Sequence, residues 1–139
     1  SKVAEGWRLV MSKGNLTNLD QKAIQEFVSY LQQSIPDRVV GVALFGSKAR
    51  GDSQKDSDID VLVILSQEDR KLRREILRQA ARFSLKYDVL LSPRVIGAER
   101  WAEMRGFSLY QNVQQEAAGL DIVGGELTLE PVGDGLLIR

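Results

Sequence analysis

The chain contains no cysteine and no histidine. Without cysteine there is no disulfide, no thiolate nucleophile and no cysteine-based zinc site. Without histidine, a general base has to be a carboxylate, a lysine or a tyrosine. A metal site has to be built mainly from oxygen ligands, which favours hard ions such as Mg²⁺ or Mn²⁺ over Zn²⁺ or Cu²⁺. No apolar run approaches the roughly 20 residues that span a bilayer, and no leader pattern opens the sequence. A soluble cytoplasmic protein is the expectation. Nor is there an excess of either charge. Lysine plus arginine and aspartate plus glutamate number 19 each, so no global field points to nucleic acid. No internal repeat or low-complexity linker divides the 139 residues, and a single domain over 1–139 is expected.

What is present alternates between helix and strand patterns. Val3, Trp7, Val10 and Met11 have helical spacing and stop at Gly14. A second helix is predicted from about Asp20 to Ser34, with Ile24, Phe27, Val28, Leu31 and Ile35 as its apolar stripe and Pro36 ending it. Val39 to Phe45 is a continuous apolar run of strand length. Ile59 to Leu65 is a second strand, with Asp58 at its mouth. Ser66-Gln67-Glu68-Asp69 reads as a capping box before a long helix carrying Leu72, Ile76, Ala80 and Phe83. A third strand is predicted from Asp88 to Leu91, closed by Pro93. Ala98 to Ala118 is helical, broken at Gly106 and capped at Gly119. Residues 127–138 read as a hairpin turning at Gly133-Asp134-Gly135. Together these give an α/β (α+β) fold with a small sheet and flanking helices.

The chemistry concentrates in two short stretches, Gly46-Ser47-Lys48-Ala49-Arg50-Gly51 and Ser57-Asp58-Ile59-Asp60. Period two puts Asp58 and Asp60 on one face of a strand, about 7 Å apart at their Cα atoms. Two carboxylates so placed repel, and a divalent cation between them resolves the repulsion. Ile59, Val61 and Val63 point to the other face. Gly46 permits close backbone approach to a ligand, Ser47 offers a hydroxyl and an N–H, and Lys48 and Arg50 can add positive charge over a phosphate. A third acid would complete a two-metal site, one ion activating the attacking oxygen and the other the leaving group. Asp88 is the candidate. A calcium loop is the bland alternative for Asp56 to Asp60, but Val61 stands where that pattern needs glycine. The Arg74-Arg78-Arg82 stripe reads as a solvated helix face, or else as a partner or nucleic-acid surface.

Gly46-Ser47, ten intervening residues and Asp58-Ile59-Asp60 resemble the Gly-Ser-x10-Asp-x-Asp motif of the DNA polymerase β-like nucleotidyltransferase superfamily. Within it, the motif is most similar to the minimal nucleotidyltransferases (MNT type), over a core of about 39–93. The resemblance implies a mixed sheet flanked by helices, Gly46 and Ser47 on the triphosphate of ATP or another NTP, and Asp58 and Asp60 as shared ligands of two Mg²⁺ ions. It matches Asp88 to the third acid by its place after the long helix. It implies transfer of a nucleotide, AMP in many members, to a hydroxyl. For the MNT group it implies an antitoxin that modifies a tyrosine of a HEPN-type toxin partner. The rival expectations are a non-catalytic partner-binding module on the same fold and a small-molecule, aminoglycoside-like transferase. Acceptor, base preference and oligomeric state have no signature in the sequence.

Overall fold

β2, Ile59–Leu65, is the strand on which the architecture turns. Val61, Leu62, Val63, Ile64 and Leu65 are all apolar and at most 1% exposed. A strand buried on both faces has to lie inside a sheet covered on both sides. The computed structural model, which describes residues 16–46, Lys48 and residues 58–131, meets that requirement. Its five strands run in the order β3-β2-β1-β4-β5. β1 is Val39–Phe45, β3 Leu91–Gly97, β4 Ala118–Val123 and β5 Glu126–Pro131. β1 pairs antiparallel with β2 and β4, β4 antiparallel with β5, and β2 parallel with β3. The sheet is therefore mixed, as expected.

On one face lie α1 (Asn18–Ser34) and α2 (Arg70–Tyr87). Ile24, Phe27 and Leu31 of α1 and Ile76 and Phe83 of α2 pack with Ile59, Val61, Val63 and Leu65 of β2. The other face carries α3 (Ala98–Glu103) and α4 (Ser108–Glu116). Trp101 and Val113 cover Ala43, Leu62 and Ile64 there, and the Trp101 ring meets Tyr110 at 4.7 Å. Burial of each such side chain contributes about 1.5–3 kcal/mol, so the apolar periodicity decides which face each helix takes. Among the described residues no helix is long and apolar enough to cross a membrane.

Several boundaries differ from the sequence reading. The third strand begins at Leu91, not Asp88. Asp88 adopts a left-handed conformation (φ 53°, ψ 47°) and closes α2, its N–H donating to Ser84 O. Pro93 lies inside β3 rather than ending it. β3 is an edge strand, and an edge tolerates a residue with no N–H. Ser66 does not cap α2. Its N–H is held by Arg38 O at 2.8 Å, and Asp69 is the cap, accepting from Leu72 N at 3.0 Å. Gly119 is not a helix cap but a residue of β4, opposite Glu130. The hairpin turns at Gly124-Gly125, whose φ angles of 59° and 84° suit a tight two-residue turn. The helix expected over residues 3–11 and the turn expected at Gly133 to Gly135 lie outside the described residues.

The start of α1 is held by a reciprocal capping box. Thr17 Oγ1 accepts from Asp20 N and Asp20 Oδ2 accepts from Thr17 N, each at 3.0 Å. Asp20 Oδ2 also accepts from Lys48 Nζ at 2.9 Å, with the two side chains only 4% and 1% exposed. Lys48 was expected to lie open over a phosphate. The structure instead turns its ammonium inward, because a buried carboxylate and a buried ammonium each need the other. The pair ties the stretch after β1 to the first turn of α1. Asp20→Ala is predicted to destabilise the fold by about 3–5 kcal/mol, since it removes a carboxylate that pairs with a buried ammonium and caps α1. The double change Asp20→Leu with Lys48→Met is predicted to recover most of that loss. Urea denaturation of the three chains checks both.

Candidate active site

Asp58 and Asp60 sit at the mouth of β2. Asp58 precedes the strand and is exposed, Asp60 lies within it and is half-buried, and Ile59 between them is fully buried. The mouth is pinned to the neighbouring strand, because Ile59 N donates to Leu90 O at 2.8 Å. The apolar set Ile59, Val61 and Val63 faces α1 and α2, while Leu62 and Ile64 face α3 and α4. By strand alternation Asp60 belongs to the second face.

Two backbones flank Asp60. In the antiparallel ladder it stands opposite Phe45, the last residue of β1. Gly46 follows with φ 77°, a conformation that costs little only for glycine. A Cβ built on Gly46 would fall onto the Asp60 carboxylate, 3.1 Å from Cγ and closer still to Oδ2. The glycine is therefore required twice, for its φ and for the space the carboxylate fills. On the other side, the parallel ladder sets Ser92 of β3 beside Asp60.

Of the other expected site residues, Ser47 and Arg50 lie outside the described residues. Lys48 is in the buried pair with Asp20. Asp88 does not join Asp58 and Asp60. It is exposed at the end of α2, three residues before β3 begins. Among the described residues no group of three acids gathers to hold a metal. The left-handed turn at Asp88 explains the discrepancy, because it ends the helix before the chain straightens. β3 itself, Leu91-Ser92-Pro93-Arg94-Val95-Ile96-Gly97, contains no acid. The residue that the fold does bring next to Asp60 is Ser92. The sequence carries no signal for it, since it depends on the register of a parallel pair whose start is set by the Asp88 turn.

What remains is a half-buried carboxylate, an exposed carboxylate two residues before it, and a glycine whose backbone approaches the first. All the donors are oxygen, which suits a hard divalent ion.

Comparisons with known proteins give the family. Residues 23–109, more than half of the chain, match the family model described as a nucleotidyltransferase domain. Two proteins of Methanocaldococcus jannaschii that carry the provisional name protein adenylyltransferase are similar to it. One is 42% identical over 71 residues, which is 50% of this chain and 72% of the relative. The other is 32% identical over 97 residues, covering 70% of this chain and 93% of the relative. Among solved structures, a toxin–antitoxin with AMP-PNP aligns over 68% of this chain and 70% of that chain, at 18% identity and a TM-score of 0.46. A Sulfolobus solfataricus chain provisionally named nucleotidyltransferase aligns over 74% of this chain and 81% of that chain, at 23% identity and a TM-score of 0.42. Both structures are distant resemblances. The match over the segment that contains Gly46, Asp58 and Asp60 is the decisive one: this chain belongs to the nucleotidyltransferase domain family.

Proposed function

We propose that the chain is a metal-dependent nucleotidyltransferase that moves AMP from ATP to a hydroxyl of a partner protein. The observation that carries the reading is the apposition of Gly46 to the Asp60 carboxylate, with Asp58 two residues away. Asp58 and Asp60 would hold the divalent cation, Mg²⁺ or Mn²⁺. When bound, the cation offsets the charge of the triphosphate and makes the α-phosphorus more electrophilic. The protein's own share is positional. Gly46 makes room for the Asp60 carboxylate, and the Gly46-Ser47 stretch is where the triphosphate would lie. The acceptor oxygen forms a bond to the α-phosphorus, the bond from that phosphorus to the bridging oxygen breaks, and pyrophosphate leaves. The hydroxyl proton is assigned to Asp58, the exposed carboxylate of the pair.

The protein acceptor and the choice of AMP follow the names of the Methanocaldococcus relatives. In the antitoxin form of this reading, suggested by the minimal nucleotidyltransferase motif, the acceptor is a tyrosine of a HEPN-type toxin. A second reading is favoured by one observation. No third acid joins Asp58 and Asp60 among the described residues, as would suit a non-catalytic module that binds its partner by contact alone.

Transfer of labelled AMP to a co-expressed partner separates the two readings. The double change Asp58→Asn with Asp60→Asn is predicted to reduce transfer by more than the roughly 10–100-fold that loss of an outer-shell group costs a metal site. A chelator is predicted to abolish transfer, and Mg²⁺ to restore it. Partner neutralisation that survives the double change would establish the contact-only reading. Gly46→Ala is predicted to lose transfer as well, because the new Cβ displaces the Asp60 carboxylate. Its cost in stability should stay at about 1–3 kcal/mol, the range of a strained backbone position, which thermal unfolding measures.

A further inference from the structure

A second concave surface lies on the outer edge of β3. It is a cleft of about 330 Å³ lined by Arg73 and Leu77 of α2, Pro93 to Ile96 of β3, and Arg100 and Met104 at α3 and its end. Three guanidinium groups thus come to one cleft from three separate elements. Three exposed cations elsewhere are held in ion pairs. Arg38 meets Asp69 at 2.7 Å, Arg78 meets Glu75 at 2.7 Å and Lys86 meets Glu26 at 2.8 Å. Even the helix stripe is largely accounted for, since Arg82 lies 4.9 Å over the Phe83 ring. Among the described residues, Arg73, Arg94 and Arg100 have no carboxylate partner.

The surroundings narrow the ligand. A compact phosphate is normally gripped by backbone N–H groups. Along this edge only the N–H of Val95 has neither been lost nor taken up within the chain. Leu91 N donates to Ser84 Oγ at 2.9 Å, Pro93 has no N–H, and Gly97 N donates to Glu68 Oε1 at 2.9 Å. The same capping blunts the edge against strand addition. Among the described residues no aromatic ring lines the cleft, which gives bases no stacking platform there. What it offers is long cationic side chains over an apolar floor of Leu77, Val95, Ile96 and Met104. Carboxylates spaced along a polypeptide, with apolar side chains between them, match that surface. Its position also fits. Arg94 lies two residues beyond Ser92, which stands beside Asp60 in the ladder, and by alternation it shares the Asp60 face.

We infer that the Arg73–Arg94–Arg100 cleft docks an acidic, partly apolar segment of the acceptor protein and so brings its hydroxyl toward Asp60. The assignment of that segment to an acceptor rests on the protein-acceptor reading above; the binding itself does not.

The test is fluorescence anisotropy with three labelled probes: an alternating Glu-Leu decapeptide, its Gln-Leu counterpart and a ten-nucleotide single-stranded RNA. The folded wild-type chain binds the Glu-Leu peptide at low salt, more weakly at high salt, and at least tenfold more tightly than the other two probes. A chain carrying Arg73→Gln, Arg94→Gln and Arg100→Gln loses at least tenfold in affinity for that peptide. It keeps its circular dichroism spectrum and binds ATP within twofold of wild type. No binding of the Glu-Leu peptide by wild type, equal binding by the variant, or preferential binding of the RNA overturns the inference. Asp58→Asn with Asp60→Asn binds the peptide as wild type does. Loss of AMP transfer and loss of docking can therefore be told apart.

Discussion

Asp60 stands on an interior strand of the sheet, at the head of a row of residues that are otherwise apolar and fully buried. A carboxylate there is tolerated only where polar groups or an ion compensate it. The space it occupies exists because Gly46 has no Cβ and because the chain leaves β1 at a positive φ. The antiparallel register that sets Phe45 against Asp60 makes the two meet. Packing on both faces fixes that register, since a slip of one residue would drive Asp60 into the layer beneath α1 and α2. The hydrophobic core and the site are in this sense one construction, with the core fixing the strand and the strand presenting the acid.

A second compensation stabilises the approach to the site. The Lys48–Asp20 pair is buried on both sides, and Asp20 is also half of the capping box of α1. One carboxylate thus answers a backbone N–H and an ammonium. Lysine in a motif close to a glycine expected to meet phosphate invites a functional reading, and its burial adds a structural one.

The two strands that form the motif, the helices between and around them and the single face shared by Ile59, Val61 and Val63 were legible because strong apolar periodicity determines them. The break near Gly106 was legible because glycine is a poor helix former. Less legible was anything set by backbone conformation or by partners distant in sequence. Asp88 reads as the first residue of a strand until its left-handed turn is seen. Pro93 reads as a stop until β3 proves to be an edge. Ser92 and Asp20 are ordinary residues in the sequence, and only strand register and tertiary packing give them their neighbours. The arginine cleft was similarly hidden, because its three residues come from a helix, a strand and a second helix.

The central claim is that Asp58 and Asp60 together hold a divalent cation with the nucleotide. Electron paramagnetic resonance of Mn²⁺ tests it without requiring turnover or an acceptor. In the presence of a non-hydrolysable ATP analogue, the wild-type chain should take up Mn²⁺ saturably beyond what the nucleotide alone binds. The chain with asparagine at both positions should show no such excess. Equal Mn²⁺ uptake by the two chains would contradict the account.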